Sequence, residues 1–590
     1  MPAPRPVRTE FLEPLRRVLA WMASLRDRDG RIVCPDHGVE HTGKNVGAAI
    51  IACELLEHDP QARPAELVEL ATQQARRAVA NLQREGDSPC FTFRPGRHDP
   101  FNCSNAVIDG GAASDALAHV VRRLGERLTP ADRESFAAAS LLHARTYLRY
   151  AVLDKGVPAQ RAWGLTGLAA AHALAPDPEL ERAAIEAVGA LEGVQHADGS
   201  FPYHPLEWGA EHAGASDVSS FYQSRIPGFL LHALAELGRD PRDALFAGPI
   251  RRALEFAAAL QGPDGVKCGL VEAKPWYWGA EYEVASNPFD VFAFARGART
   301  YRDAFLAVAA LRAFRAFAAH LAPDGRPRSH REGHGRRPSY QCPVFWAGHC
   351  LWIARALADL EAAADAPAPY EPGPDGIDVS LRWFPDASLG RLEDGRVVAW
   401  VRGSRPAVNV HHGSPHGAGL LRVFGKQRGA DLLARCRLGG ANEGEWSAAA
   451  GLPSLGRGWH GGGSELRFSL WLARVAARRG RPIEALATPW RVARQGLAAF
   501  ASTRVSSAFD LAPRAEPGVG ALVLTSRLAH RDGSPVAESR LVRRFEVDGG
   551  GLVVDDELAA DGGARGVTYR VPQEARDVRR EGRRIAWRLG

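Results

Sequence analysis

From about residue 8 to 364 the chain repeats one hydrophobic pattern, with apolar residues three and four apart on a polar background. Phe11, Leu12, Leu15, Val18, Leu19 and Met22 form one stripe, Val46, Ala49, Ile50, Cys53 and Leu56 a second, and Ile226, Phe229, Leu230, Ala233 and Leu234 a third. That spacing predicts amphipathic helices that bury one face. Breaker pairs separate them at Asp29-Gly30, Gly86-Asp87, Lys155-Gly156, Asp198-Gly199, Asp264-Gly265 and Asp324-Gly325. An interval of about sixty residues fits one helical hairpin per repeat. A lone hairpin cannot bury its apolar face, so hairpins must stack or close on themselves. About six of them predict an (α/α) toroid over residues 1-361, with the polar inserts gathered on one side as the walls of a cleft. An open solenoid is the alternative, and it would use shorter, more uniform turns.

Residues 362-376, rich in alanine, proline and glycine, read as a linker. Beyond them the pattern changes to alternation and short apolar runs, as in Ile377-Asp-Val-Ser-Leu-Arg-Trp, Arg396-Val-Val-Ala-Trp-Val-Arg and Leu541-Val-Arg-Arg-Phe-Glu-Val. Strands joined by Asp-Gly and Gly-Gly turns predict an antiparallel β-sandwich over 377-590. The fold class is therefore α+β and multidomain.

Composition narrows the function classes. With 45% hydrophobic and 24% charged residues the 590-residue chain reads as soluble and globular. No uninterrupted apolar run is long enough for a membrane span. The start, Met1-Pro-Ala-Pro-Arg-Pro, lacks the apolar core of a secretory signal, so a cytoplasmic location is expected. A net charge of +6 from 74 basic and 68 acidic residues is too weak a bias for nucleic acid. Only Lys44, Lys155, Lys267, Lys274 and Lys426 are lysines. A GC-rich genome explains such an arginine bias, yet guanidinium groups also suit an acidic ligand. The eight cysteines form no Cys-x-x-Cys pair and read as reduced thiols.

Candidate chemistry lies in the inserts. Phe91-Thr-Phe-Arg-Pro-Gly-Arg-His-Asp-Pro-Phe-Asn-Cys-Ser-Asn carries Arg97, His98, Asn102 and Asn105, which either hold a substrate carboxylate or cap the next helix. Asp115 follows as a first-turn dipole partner or an acid. A later insert holds His204, Glu207, Trp208, Glu211, His212, Asp217, Tyr222 and Arg225, and the next holds Lys274, Trp276, Tyr277, Trp278 and Glu281. Flat aromatic rings there would stack on sugar faces; a hydrophobic plug is the bland alternative. The first insert supplies His37, His41, Lys44 and Asn45, the last His330, Arg331, His334, Arg336, Arg337 and Tyr340. In the β region His411, His412 and His416 would reach a zinc ion only if the Gly-Ser-Pro turn folds back, and no fourth ligand is evident, so no cofactor is expected.

A helical toroid followed by an antiparallel sandwich resembles the polysaccharide lyases of the heparinase II/III, alginate lyase and chondroitin/hyaluronate lyase groups. Asp198-Gly-Ser-Phe-Pro-Tyr-His204 followed by Tyr222 is similar to the Asp-Gly-Ser-Phe-x-x-His and downstream tyrosine of the chondroitin and hyaluronate type. Ser219-Ser-Phe-Tyr222 ahead of a helix is similar to the Ser-x-x-Tyr of the heparinase II/III type, whereas His411-His-Gly-Ser-Pro-His416 differs from its His-Gly-His-Ala-Asp pattern. The resemblance implies β-elimination on an acidic polysaccharide or oligosaccharide. Asn102 or Asn105 with Arg225 or Arg97 would neutralise the uronate carboxylate. Tyr222, a phenol of ordinary pKa about 10, would take the C5 proton. His204, or His412 from the sandwich, would be the second acid or base.

Two other classes fit. A toroid glycoside hydrolase, such as an unsaturated uronyl hydrolase, would use carboxylates among Asp115, Asp217, Glu281 and Asp290. A noncatalytic glycan-binding protein would keep the aromatic inserts and tolerate loss of both His204 and Tyr222. The sugar, its linkage and the oligomeric state are not legible.

Overall fold

The computed structural model describes residues 7–35, 40–80, 82–85, 88–91, 104–154, 156–202, 215–216, 218–268, 286–328, 343–366, 379–403, 405–406, 419–433, 443–449, 505–507, 514–527, 538–560 and 567–590, with isolated residues between 470 and 490. Twelve long helices among them alternate between two roles. The odd ones, α1 (Thr9–Ser24), α3 (Pro64–Ala80), α5 (Pro130–His143), α7 (Pro178–Glu192), α9 (Ala244–Ala259) and α11 (Ala304–Ala319), bury one stripe and expose the other. The even ones, α2 (Thr42–His58), α4 (Ser104–Leu124), α6 (Pro158–Leu174), α8 (Arg225–Glu236), α10 (Asn287–Tyr301) and α12, are buried on nearly every side. The last runs through three consecutive segments, Pro343–His349, Leu351–Arg355 and Leu357–Asp365.

Burial all round is what a helix shows when neighbours cover it from both flanks and outside. Helix α2 packs on α4, α4 on α6, α6 on α8, α8 on α10, α10 on α12 and α12 back on α2, which closes an inner ring. The outer helices begin with side-chain caps where the sequence offers them. Thr129 accepts from the Asp132 amide, Asp177 from Glu179, and Asp303 from Phe305 and Leu306. Each such cap stabilises its helix by about 1 kcal/mol. The (α/α) toroid expected from the hairpin period is the observed fold. No described helix is long and apolar enough to cross a membrane.

The β region is antiparallel. Ser380–Phe384, Leu389–Glu393, Val397–Arg402, Gly419–Gly425 and Ala430–Asp431 form one meander. A six-stranded sheet runs Arg514–Pro517, Ala521–Ser526, Ser539–Val547, Leu552–Ala560, Arg584–Leu589 and Arg576–Glu581 in spatial order. The core between them includes Val397, Ala399 and Val401 from the first sheet and Leu524, Phe545 and Val554 from the second. The alternate positions Val398 and Trp400 pack instead against Val218, Phe256, Ala259 and Leu260 of the helical part. The strand Val397–Arg402 is therefore buried on both faces, which explains why its sequence is a near-continuous apolar run.

Two Asp-Gly turns fasten the sheet to the ring. The Asp198 carboxylate accepts from the Ala387 amide at 2.8 Å. Arg422 donates to Asp264 at 2.6 Å, to the Val266 carbonyl at 2.7 Å and to Asp431 at 2.7 Å. The Trp400 indole N–H adds a bond of 2.9 Å to the Ala259 carbonyl.

Candidate functional site

The inserts of interest each end where an inner helix begins, so the first turns of the inner helices meet at one end of the ring. All six contribute to a single cluster there. Lys44 of α2 bonds Asp109 of α4 through Nζ and Oδ1 at 2.8 Å, both side chains being buried. The same ammonium lies 4.4 Å from the centroid of Trp163 of α6 and 5.0 Å from that of Phe345 of α12. Arg225 opens α8, its guanidinium 3.7 Å from the Phe221 ring, 4.0 Å from Phe289 of α10, 5.1 Å from Tyr222 and 5.5 Å from Trp163. His349 of α12 packs against Phe345, Phe289 and Trp163 at centroid separations of 4.5, 4.8 and 5.5 Å.

Small residues let these helices approach. A Cβ at Gly47 would stand 2.1 Å from the Gly348 carbonyl oxygen, and one at Gly348 would stand 2.3 Å from that of Lys44. Backbone-to-backbone contact of α2 with α12 is what sets Lys44 beside Phe345. The positive ends of six helix dipoles and two buried cations face the cluster, while Asp109 is its one described carboxylate. Burial pushes the His349 imidazole well below its ordinary range, and Lys44 and Arg225 push it further, so the ring is neutral.

The Asp198-Gly-Ser-Phe segment has a structural task here. Asp198 Oδ1 accepts from the amide and the hydroxyl of Ser200, Gln223 bonds both backbone groups of buried Phe201, and the second Asp198 oxygen reaches Ala387 in the sheet. That turn thereby seats the short helix Ser220–Gln223, which carries Tyr222 half-buried next to Arg225. Helix Asn105 lies in the first turn of α4 by its backbone. His204, Asn102, His412, Arg97, His98, Trp208, Glu211, Lys274, Trp276, Tyr277, Trp278 and Glu281 lie outside the described residues.

Two carboxylates offered for acid–base work are committed elsewhere. Asp115 takes both N–H groups of Arg355, at 2.7 and 2.9 Å, and stands 3.2 Å from His232 Nε2. Burial works to raise its pKa, but Arg355 and His232 override that and hold the group below the carboxylate range. Asp290 is fully buried against Lys267 at 2.8 Å and accepts from Ser286 at 3.1 Å. Asp217 lies outside the described residues, as does Glu281. Glu54, Glu57 and His58 could jointly reach a metal ion, but Arg123 already pairs with both glutamates.

Trp163, Phe289 and His349 join the site without a signal in the sequence. Each sits in an apolar helical stretch where an aromatic or a lone histidine reads as core.

No protein-family model matches the sequence, and no curated protein matches it. Among solved structures, a heparan sulfate lyase HepC mutant from Pedobacter heparinus is similar over 94% of this chain and 70% of its own, with 13% identity and a TM-score of 0.46. Cellobiose 2-epimerase from Bacillus thermoamylovorans B4167 is similar over 59% of this chain and 100% of its own, with 13% identity and a TM-score of 0.43. A glycosyl hydrolase of family 88 from Bacteroides vulgatus is similar over 60% and 98%, with 12% identity and a TM-score of 0.42.

Proposed function

We propose that this chain is a carbohydrate-active enzyme that cleaves a uronic-acid-containing glycan by β-elimination. The observation that carries the reading is Tyr222 beside the buried Arg225 guanidinium, 5.1 Å from ring to cation, at the ring end where six helix N-termini meet. A uronate carboxylate bound by Arg225 loses much of its charge, and the neighbouring C5–H becomes acidic. Tyr222 then accepts that proton as phenolate, which a nearby guanidinium favours over the phenol. The C5–H and C4–O4 bonds break, a C4=C5 double bond forms, and a proton passes to the leaving O4. Asn102 or Asn105 would share the carboxylate, and His204 or His412 the proton traffic. The buried pairing of Asp115 with Arg355 and of Asp290 with Lys267 supports this reading over a hydrolase built on those carboxylates.

The test is ultraviolet absorbance of the unsaturated uronate during incubation with a panel of uronate polymers and oligomers, with Tyr222→Phe alongside. A rise that the variant loses supports elimination through Tyr222. A substrate shown separately to bind, yet yielding no rise, would overturn it.

A further inference from the structure

The cluster holds polar atoms that the elimination chemistry does not use. His349 is 1% exposed, and among the described residues neither ring nitrogen has a hydrogen-bond partner. Trp163, 4% exposed, has an indole N–H, and Asp109, 1% exposed, an Oδ2, that likewise find no partner among the described residues. These groups are neighbours. His349 lies 5.5 Å from Trp163 between ring centroids, and Lys44 joins Trp163 to Asp109. Leaving such groups unpaired costs about 1–3 kcal/mol each, so four in one place call for an explanation.

Their chemistry defines what would satisfy them. A neutral imidazole offers one donor and one acceptor; the indole adds a donor and the carboxylate oxygen an acceptor. Two acceptors exclude a simple anion. Two donors beside two acceptors match a pair of neighbouring hydroxyls, each of which donates once and accepts. Trp163, edge-on to Phe289 at 5.8 Å, and Phe345, edge-on to His349 at 4.5 Å, give these polar atoms an aromatic wall, beside which the apolar C–H side of a sugar ring would lie.

We infer that the cluster around Trp163 and His349 is a subsite for the hydroxyl-bearing ring of a terminal sugar, so that the enzyme works from a chain end. The subsite deepens the proposed function and rests on it for catalysis and for the uronate class of substrate. A closed inner ring gives a polymer no way through, and α2 and α12 meet backbone to backbone beside the subsite. A sugar that reaches these atoms is therefore the last of its chain.

The experiment pairs calorimetry with product sizing. The wild type, His349→Phe and Trp163→Phe are titrated with glucuronic acid and with the same sugar O-methylated on its ring hydroxyls. Separately, a uronate polymer is digested and its size followed by gel filtration. Expected results are binding of the free sugar at least about tenfold weaker in either variant, little binding of the methylated sugar, and release of small products while the polymer stays long. His349→Phe keeps a ring in place and removes only unpartnered atoms, so its thermal midpoint should not fall. Variants that bind as the wild type does, or a polymer that shortens at once throughout, would overturn the subsite even where the unsaturated product forms. Hydroxyl-dependent binding lost in the variants without any unsaturated product would keep the subsite and remove the lyase.

Discussion

A Cβ placed on Gly325 would stand 2.2 Å from the carbonyl oxygen of Arg17, so the last Asp-Gly turn of the ring rests directly on the first helix. The same relation links Gly199 to the Arg252 carbonyl of α9 and Gly265 to the Arg312 carbonyl of α11. At Gly325 it closes the circle across some three hundred residues, joining α11's turn to α1. The position has φ 85°, which an L side chain adopts only with strain.

Gly325→Ala therefore meets two penalties, left-handed backbone and a backbone clash, and should destabilise by more than about 2 kcal/mol. Gly189, exposed in α7 with none of the described atoms within 4 Å of where a Cβ would stand, makes the control. There alanine should stabilise by about 0.5–1 kcal/mol. Urea denaturation of both variants checks the pair, and equal effects would sink the closure argument.

Arg355 of α12 staples α4 to α8. Arg355 is 9% exposed and donates both to Asp115 and to His232 Nε2, the latter at 2.8 Å. Arg355→Met would strand an ionised carboxylate in the ring, at a cost of about 3–5 kcal/mol. Asp115→Asn with Arg355→Met removes both charges, and the double variant should recover part of that loss in the same denaturation assay.

The hairpin count was legible because Asp-Gly turns need glycine for one fixed backbone reason, and Gly199, Gly265 and Gly325 all have positive φ. The strand at Val397 to Val401 was legible too, as a short apolar run, though not that both of its faces would be covered. What could not be read was partnership at long range. Asp115 looked available because its cation, Arg355, lies 240 residues away. Trp163 and His349 escaped notice for a related reason, since a polar atom without a partner is a property of three-dimensional neighbours. Lys44 was assigned to an insert and in fact stands in the first turn of α2, where its distance from Asp109 follows from the packing of α2 on α4.

The pH dependence of stability follows from three buried histidines. His349, His232 and His119 all have pKa values lowered by burial first, and then by Lys44 and Arg225 at His349 and by Arg355 at the other two, though carboxylates partly oppose the shift at His232 and His119. A lowered folded pKa means that the unfolded chain binds these protons first. Stability is then complete above the unfolded value of about 6.5 and falls as the pH drops through it, by at most about 1.4 kcal/mol per unit for each histidine. Thermal midpoints measured from pH 7.5 to 5 should decline, and His349→Phe should decline less steeply. An unchanged slope in that variant would mean that His349 takes up its proton in the folded ring.

Arg225 separates charge from shape. Its guanidinium lies 3.7 Å from the Phe221 ring and 4.0 Å from the Phe289 ring, contacts that a planar delocalised cation makes and an ammonium makes poorly. Arg225→Lys keeps the positive charge but not the paired geometry for a carboxylate. If Arg225 neutralises the substrate acid in the transition state, Lys should retain more turnover than Met. Arg225→Met should lose about 10²–10³-fold in kcat, the scale for removing one electrostatic stabiliser. The control is a calorimetric titration with an uncleaved acidic oligosaccharide, which reads ground-state binding alone. Loss of kcat with modest loss of affinity places Arg225 on the developing charge; equal loss of both in Lys and Met variants would make it a packing residue of the aromatic cluster.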